Sequence, residues 1–181
     1  MNYKMIVAIC NGGGIGKSNS LPWYSPKDLK HFSKLTRGNP PTENGKQKMN
    51  VMVMGRNTWE SIPKKPLPKR FHIILTSKPD SIDLSEPKFD NCIALPSLTA
   101  VDEFYVKNQN KFNDLWIIGG QSVYETYLKE RNVQDIFVSH IDQDIDCDAF
   151  FTHDLSCYNK TLLKTELENN ANISFFHYST S

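Results

Sequence analysis

The sequence predicts an α/β protein, with a doubly wound, mostly parallel central sheet of about eight strands, helices on both faces and an antiparallel C-terminal hairpin. Short apolar runs alternate with longer segments of helical periodicity, an order typical of parallel sheets in which each connection carries a helix. Residues 160–180 form two alternating segments around Glu168-Asn169-Asn170, a pattern typical of a β-hairpin. The length of 181 residues suits one domain, so we expect residues 1–181 to fold as a single unit.

Each predicted strand is a short apolar run, and each predicted helix follows a polar or glycine-containing start. Strands are predicted at residues 3–10, 50–54, 71–75, 91–95, 115–118 and 136–141. Helices are predicted at residues 25–37, 55–62, 97–108 and 119–129. Residues 11–24 and 38–48 are expected to be loops, because they are rich in glycine, proline, asparagine or serine. Sheets of this kind bind ligands at the carboxyl ends of their strands, so the site is expected in the loops that follow them.

The composition excludes several classes of protein. Lysine plus arginine number 21 and aspartate plus glutamate 20, so the formal net charge of +1 argues against binding nucleic acid or an anionic membrane. No apolar run approaches the roughly 20 residues that cross a bilayer, and the N-terminus lacks the apolar core of a signal peptide. Cys10, Cys92, Cys147 and Cys157 show neither disulfide-framework nor metal-ligand spacing, so we expect free thiols, no metal and a cytoplasmic location.

A glycine-rich segment, Asn11 to Ser18, differs by one residue from a phosphate-binding P-loop. A P-loop must continue into a helix whose N-terminus faces phosphate, but Pro22 follows within a few residues and argues against such a helix. Four glycines within residues 12–16 indicate instead either a structural turn or a mobile flap beside a ligand. The glycines alone leave these two interpretations equally open.

Asp28 is the only acid in the first predicted helix. At about 100° per residue it falls in the same arc as Phe32 and Leu35, and Leu29 is also assigned to the inner side. The carboxyl could close a capping box with Ser25, or it could point inward without a basic partner. An inward carboxylate accepts two parallel hydrogen bonds, which a flat ligand with adjacent N–H donors would supply.

Three further segments follow predicted strands and could contact phosphate or a flat ring. Gly55-Arg56-Asn57-Thr58 combines a glycine, a cation and a helix start, although Arg56 could equally be a solvated surface base. Thr76-Ser77-Lys78 offers two hydroxyls and a cation, but taken alone it favours a polar turn. Gly119-Gly120 joins a buried strand directly to a helix, which lets bare backbone lie against a ligand; a tight turn is the alternative.

The remaining candidates favour structural interpretations. Asp142, Asp144, Asp146 and Asp148 alternate along an extended stretch, but the glycine and closing glutamate of an EF-hand loop are absent. We therefore expect this stretch to be a solvent-exposed edge of the protein, in which Asp148 stabilises a turn. The five histidines show no metal-ligand spacing, and no catalytic triad can be assembled from the order of the residues.

The order and spacing of these residues closely resemble the dihydrofolate reductase family over nearly the whole chain. The segments that carry the resemblance are Ile6-Val7-Ala8, Gly14-Ile15-Gly16-Lys17, Leu21-Pro22-Trp23 with Asp28 five residues later, Phe32, Met54-Gly55-Arg56, Thr58-Trp59, Ser61-Ile62-Pro63, Leu67, Arg70, Ile118-Gly119-Gly120, Tyr124 and Asp148-Ala149-Phe150-Phe151. The resemblance implies reduction of 7,8-dihydrofolate to 5,6,7,8-tetrahydrofolate with NADPH as cofactor, in support of one-carbon metabolism. It also implies a monomer that binds a small-molecule substrate and antifolate-type inhibitors.

The resemblance implies roles for individual residues. The catalytic set comprises Asp28, Trp23, Leu21 and Ser139. The substrate-binding set comprises Ile6, Val7, Ala8, Asp28, Leu29, Phe32, Ile62, Pro63, Leu67, Arg70, Ile118 and Tyr124. The cofactor-binding set comprises Ala8, Ile15, Gly16, Ser20, Gly55, Arg56, Asn57, Thr58, Leu75, Thr76, Ser77, Lys78, Ile118, Gly119, Gly120, Gln121, Ser122, Val123 and Tyr124. Asp28 would bind the pterin, Arg70 the glutamate α-carboxylate of the substrate, and residues 12–23 would form the flap that closes over the site.

Three positions depart from the pattern of the family, and three other functions compete. Ala149 and Ser139 stand where threonine is frequent, and Cys147 stands where bacterial members often have glycine. A nucleotide phosphotransferase is suggested by the near P-loop. A reductase of riboflavin biosynthesis should lack Leu21-Pro22-Trp23 followed by Asp28. A folate or dinucleotide carrier without catalysis is the third alternative.

Overall fold

An eight-stranded sheet flanked by four α-helices forms the body of the protein in a computed structural model, which describes residues 1–181. The strands are β1 (Tyr3–Cys10), β2 (Gly14–Gly16), β3 (Thr42–Glu43), β4 (Lys46–Gln47), β5 (Met49–Gly55), β6 (Arg70–Leu75), β7 (Cys92–Leu95), β8 (Phe112–Ile117), β9 (Val133–Ile141), β10 (Ala149–Phe150), β11 (Asn159–Glu168) and β12 (Ala171–Ser179). The helices are α1 (Pro26–Arg37), α2 (Arg56–Ser61), α3 (Leu98–Lys107) and α4 (Gln121–Glu130). None of these helices is both long and apolar enough to span a lipid bilayer.

The order of the strands confirms the predicted fold. The sheet runs β11-β12-β9-β1-β8-β5-β6-β7. Strand β1 pairs in parallel with β8 and β9, and β5 pairs in parallel with β8 and β6. Strand β12 runs antiparallel to β9 and β11, so the C-terminal hairpin closes one edge of the sheet. Because parallel strands end at one edge, the loops after β1, β5, β6 and β8 lie on the same side of the molecule.

Alternating side chains of the sheet build a core on each of its faces. On one face Val7 and Ile117 pack with Tyr127 of α4, and α3 covers the same cluster. On the other face Ile6 packs with Trp59 of α2, and side chains of α1 lie against them. Helices therefore cover both faces, as the sequence predicts.

The structure differs from the sequence prediction mainly at element boundaries and in two loops. Strands β6, β8 and β9 begin up to three residues earlier than predicted. The expected loop at residues 11–24 contains β2, which pairs with β10, and the expected loop at residues 38–48 contains the small β3-β4 hairpin. Strands of two or three residues are too short to show the alternation that identifies a strand in sequence.

Candidate active site

Helix α1 begins with a cap that fixes the position of Asp28. Ser25 precedes the helix, and its Oγ accepts a hydrogen bond from the Asp28 backbone N–H at 3.1 Å. Pro26 occupies the first turn, where its missing N–H loses no helical hydrogen bond. The cap therefore uses the backbone of Asp28, and the carboxyl is free for another role.

The Asp28 carboxyl is buried beside a hydroxyl and has no cationic partner. The residue is 8% exposed and forms no salt bridge. Burial raises the pKa of Asp28 above its ordinary value, a hydrogen bond with the Ser139 side chain of β9 lowers it, and the Glu168 carboxylate raises it. The prediction that Asp28 points inward without a basic partner is confirmed.

A second unpaired charge lies beside the other end of α1. Arg70 is 3% exposed and forms no salt bridge; its Nη1 donates to Thr36 Oγ1 and its Nε to the Pro68 carbonyl oxygen, both at 3.0 Å. Burial, with the nearby Arg37 charge, lowers the pKa of Arg70 to about 10, so the guanidinium stays charged at neutral pH. At 1.5 Å rise per residue, Thr36 lies about 12 Å along the helix from Asp28.

Asn50 of β5 holds this end of α1 against the sheet. The residue is 1% exposed, and its Nδ2 donates to the carbonyl oxygens of Thr36 at 2.9 Å and Arg37 at 3.2 Å. Its Oδ1 accepts from Asn113 Nδ2 at 3.2 Å and from the Asp114 N–H at 3.1 Å. The side chain thus satisfies two carbonyl groups that the helix end would otherwise leave without partners.

His72 fixes the turn that carries Arg70. Its Nε2 accepts from the Leu67 N–H at 3.0 Å, and its Nδ1 lies 3.1 Å from the Arg70 carbonyl oxygen. These contacts require a neutral ring with its proton on Nδ1. Burial, with the Arg70 charge, lowers the pKa of His72 to about 4, which keeps the ring neutral. Sequence reasoning missed the structural roles of Asn50 and His72 because both depend on tertiary contacts.

Most apolar residues predicted to bind substrate lie on the α1–α2 face of the sheet. The partly buried members that pack against the cluster of Ile6 are Phe32, Ile62, Leu67 and Ile118. The prediction that Leu29 lies inside is wrong, because the residue is 46% exposed and lies about 100° around the helix from Asp28. Pro63 is exposed, and the Val7 side chain packs in the opposite core, so only the backbone of Val7 faces this side.

Tyr124 joins the start of α4 to β1. Its Oη donates to the Ile6 carbonyl oxygen at 2.8 Å, and burial, with the Asp28 charge, raises the pKa of the phenol. A cis peptide bond connects Gly119 and Gly120, and the φ of Gly119 is +119°. A Cβ on Gly119 would lie 3.1 Å from Tyr124 Oη, so both the backbone conformation and the close approach require glycine there.

Two helix N-termini lie where β5 and β8 end. Helix α2 follows Gly55 and α4 follows Gly120, and neither helix has a side-chain cap or an acid in its first turn. The Gly55 N–H donates to the Gly119 carbonyl oxygen at 2.9 Å and joins the ends of the two strands. A Cβ on Gly120 would lie 3.6 Å from Thr58 Oγ1, so the starts of the two helices lie close together and form a cradle. Uncapped N–H groups and bare backbone fit the phosphates of a dinucleotide cofactor.

Arg56 lies beside the segment after β6. Its Nε donates to Glu60 Oε1 at 2.9 Å and its Nη1 to Ser81 Oγ at 2.7 Å, while Ser81 Oγ donates to the Lys78 carbonyl oxygen at 2.6 Å. The structure thus brings together two segments that the sequence places more than 15 residues apart. The other predicted cofactor residues at this edge are Asn57 and Thr58 in the first turn of α2, Leu75, Thr76 and Ser77 at and after the end of β6, and Gln121, Ser122 and Val123 in the first turn of α4.

The flap (residues 12–23) is fastened to an acidic run (residues 142–148). Asn11, immediately before the flap, donates its Nδ2 to Asp142 Oδ1 and Asp144 Oδ1 at 3.0 Å each, Lys17 pairs with Asp146, and the Ser18 N–H donates to Asp148 Oδ2 at 3.0 Å. The acidic run is solvated as expected, and Asp148 stabilises the turn that begins at Ser18. Its acids bind donors that lie distant in sequence, a role that local spacing does not reveal.

The glycine-rich segment does not form a P-loop. After β2 the chain turns back through Ser18 and Asn19, both with positive φ. The Lys17 N–H donates to the Ser20 carbonyl oxygen at 2.9 Å, and the Ser20 N–H donates to the Lys17 carbonyl oxygen at 3.1 Å. No helix begins directly after this turn, so the segment offers no helix N-terminus to hold phosphate. Of the cofactor residues predicted in and near the flap, Ile15 packs against the core cluster that contains Val7.

The end of the flap lies against the C-terminal hairpin. Trp23 packs on the cluster that contains Ile173, and its buried Nε1 has no hydrogen-bond partner, whereas Leu21 is 51% exposed. Glu168, at the end of β11, accepts a hydrogen bond from the Lys27 N–H at 3.1 Å. Sequence reasoning missed Glu168, because only the tertiary fold brings it to the start of α1.

Comparison with known proteins decides the family. A family model described as dihydrofolate reductase matches residues 2–180. The chain belongs to the dihydrofolate reductase family. A dihydrofolate reductase of Drosophila melanogaster is 36% identical over 154 residues, which are 83% of this chain and 79% of that protein. A dihydrofolate reductase of Pneumocystis carinii is 36% identical over 157 residues, 83% of this chain and 73% of that protein.

Longer relatives match as well. A bifunctional dihydrofolate reductase-thymidylate synthase of Zea mays is 37% identical over 153 residues, which are 82% of this chain and 28% of that protein. The resemblance of the sequence to the dihydrofolate reductase family is therefore confirmed over almost the whole chain, and the protein belongs with oxidoreductases. The individual substrate and cofactor contacts stay predictions that the geometry above supports.

Proposed function

We propose that the protein catalyses the NADPH-dependent reduction of 7,8-dihydrofolate to 5,6,7,8-tetrahydrofolate and thereby supplies one-carbon metabolism. Membership of the dihydrofolate reductase family supports the class of reaction. The observation that carries the proposal is the Asp28 carboxyl, which is buried beside the Ser139 side chain and has no cation to neutralise it.

Asp28 is suited to hold the pterin ring. A buried carboxylate is unfavourable unless a partner donates hydrogen bonds to it. The 2-amino group of a pterin and the adjacent ring nitrogen form a flat pair of donors that matches the two carboxylate oxygens. The Ser139 side chain of β9 lowers the pKa of the carboxyl and so favours its ionised form. When ionised, Asp28 favours the protonated form of the ring and so assists its reduction.

Arg70 is suited to hold the other end of the substrate. Its guanidinium is buried, charged and free of any acidic partner, while Thr36 and Pro68 fix its orientation. The α-carboxylate of the substrate's glutamate would supply the missing negative charge through two parallel hydrogen bonds. Between the two charges, Phe32, Ile62 and Leu67 provide an apolar wall for the pterin and benzoyl groups.

The edge formed by β5, β6 and β8 is suited to a reduced dinucleotide. The uncapped starts of α2 and α4 would bind its phosphates, and Arg56 with Thr76, Ser77 and Lys78 would bind the 2′-phosphate that distinguishes NADPH from NADH. Bound there, NADPH supplies the hydride. Gly120 carries no side chain that would separate a flat ring from the backbone, and the flap limits access of water.

We also propose that the protein works as a monomer in the cytoplasm and that antifolate-type inhibitors bind at Asp28. A flat heterocycle with an amino group beside a protonated ring nitrogen offers this carboxyl the same pair of donors as the substrate. Such inhibitors should therefore compete with dihydrofolate and not with NADPH.

Loss of the near-UV absorbance of NADPH on addition of 7,8-dihydrofolate tests the proposed reaction. We expect absorbance to fall only when protein, NADPH and dihydrofolate are all present, and to fall more slowly with NADH. Asp28→Asn protein serves as the matched control and should show little turnover. An equal rate without dihydrofolate, or no rate with it, would contradict the proposal. Binding of Mg²⁺–ATP with no NADPH oxidation would instead favour the phosphotransferase.

A further inference from the structure

Two of the four cysteines meet at the base of the flap. Cys10 ends β1 and is fully buried, and Cys147 lies in the acidic run and is partly exposed. Their Sγ atoms are 3.7 Å apart although 137 positions separate them in the sequence. A disulfide bond has an S–S distance of about 2.05 Å, so the sulfurs need to approach by only about 1.7 Å. Cys92 and Cys157 are also free cysteines, and neither forms a hydrogen bond with another cysteine.

Gly14 of β2 covers this pair of thiols. A Cβ at Gly14 would lie 2.5 Å from Cys147 Sγ and 2.8 Å from Cys10 Sγ, so only glycine leaves room for both sulfurs beneath the flap. Backbone hydrogen bonds enclose the pair: the Asp148 N–H donates to the Gly16 carbonyl oxygen at 2.9 Å and the Phe151 N–H to the Gly13 carbonyl oxygen at 2.7 Å. The two sulfurs therefore lie at the contact between the flap and the acidic run.

We propose that Cys10 and Cys147 form a reversible disulfide that fastens the base of the flap to the acidic run. A low-molecular-weight disulfide such as oxidised glutathione serves as the oxidant. The Cys147 thiolate attacks one of its sulfurs and releases one glutathione thiolate, which leaves a mixed disulfide on Cys147. The Cys10 thiolate then attacks Cys147 Sγ and releases the second. The two protein thiols lose two electrons to the glutathione disulfide, and their two protons pass to the two released glutathione thiolates.

The surroundings of Cys147 set the conditions for this exchange. Burial raises the pKa of the Cys147 thiol, the Cys10 thiol and the Asp146 carboxylate raise it further, and the Gly16 N–H lowers it. The other charged groups beside it are Asp148 and Lys17, which pairs with Asp146. Because the thiolate is the attacking species, exchange should be slow at neutral pH and faster at mildly alkaline pH.

The test uses the full chain, fully reduced and then incubated with oxidised glutathione at mildly alkaline pH. Remaining thiols are blocked by alkylation, and intact mass and peptide maps are recorded. We expect a protein lighter by two hydrogen atoms, with the Cys10 peptide joined to the Cys147 peptide, and full reversal by dithiothreitol. Cys10→Ser protein should stop at a glutathione adduct on Cys147. Cys157→Ser protein should form the disulfide like the wild type.

Two results would overturn the proposal. One is a wild-type protein that keeps both thiols alkylatable or stops at the glutathione adduct. The other is a disulfide that forms but leaves the rate of backbone amide hydrogen exchange in residues 11–20 unchanged. A flap held by the disulfide should exchange about tenfold more slowly, or slower still. Any effect on turnover rests on the proposed function, whereas the mass and exchange measurements do not. Failure of NADPH oxidation in the reduced protein would therefore refute the reductase activity and leave the disulfide result standing.

Discussion

Replacement of Asp28 by asparagine should make the protein more stable and less active. Burial raises the pKa of Asp28 above its ordinary value of 3.8, so the folded state binds this proton more tightly than the unfolded state. Ionisation of the carboxyl therefore lowers the free energy of unfolding as pH rises from 3.8. This loss of stability is complete once pH exceeds the pKa of Asp28 in the folded state. Asparagine keeps a hydrogen-bond acceptor for Ser139 without the charge. At pH 7 we expect the free energy of unfolding to rise by about 1 kcal/mol.

Thermal unfolding and steady-state kinetics measure the two effects separately. For a chain of this length, a gain of about 1 kcal/mol corresponds to a rise in Tm of about 2–4 °C. Turnover of dihydrofolate should fall by about 10²-fold or more, because the ring loses the group that orients it and favours its protonation. The Kd for NADPH, measured by fluorescence titration, should change by less than about twofold, since the cofactor cradle is formed by the starts of α2 and α4 and not by α1.

Asp102→Asn is a matched control on another helix. The Asp102 carboxylate accepts from Tyr3 Oη at 2.8 Å and from Arg131 Nε at 2.9 Å, so the same substitution removes a paired charge there. Its Tm should fall and its turnover should not change. If Asp28→Asn instead lowered Tm and weakened NADPH binding in proportion to turnover, Asp28 would be a structural residue and the reasoning would fail.

Three further substitutions test other parts of the site. Arg70→Leu should raise the KM for dihydrofolate about tenfold and spare a dihydropterin without glutamate; equal effects on both would exclude the proposed carboxylate contact. Arg56→Ala should narrow the preference for NADPH over NADH in kcat/KM by about tenfold, and an unchanged ratio would remove Arg56 from phosphate recognition. His72 has a pKa of about 4 when folded and 6.5 as a free group, so protonation of the unfolded chain should remove up to about 3 kcal/mol of stability between pH 6.5 and 4. Urea unfolding measured across that range should give a free energy of unfolding that depends less steeply on pH for His72→Gln protein than for the wild type. An identical pH dependence would contradict the lowered pKa of His72.

The fold could be predicted because its signals are local. The apolar run at residues 3–10 and the serine-proline start of α1 indicate a strand and a helix without any tertiary information. The short strands β2 and β10 could not be predicted, because they exist only through their pairing with each other. Leu29 shows the limit of helical periodicity, since a side chain near the edge of the inner arc can face either way.

The site could be predicted where a residue type is out of place in its own element. Asp28 is such a residue, an acid in the apolar arc of a helix, and the structure confirms its burial. Asn50, His72 and Glu168 act instead through partners that lie far away in the sequence or on another element. Their roles depend on strand order and on the packing of the hairpin, which no spacing in the sequence encodes.

Helix α1 is tied at both ends, by Ser25 at its start and by Asn50 at its finish. These contacts fix the position of α1 on the sheet. The distance between Asp28 near its start and Arg70, which donates to Thr36 near its end, is therefore fixed as well. In the proposed substrate site, we therefore expect molecules to be selected by length as well as by chemistry. A compound too short to bridge that interval can satisfy only one charge and leaves the other without a counterion.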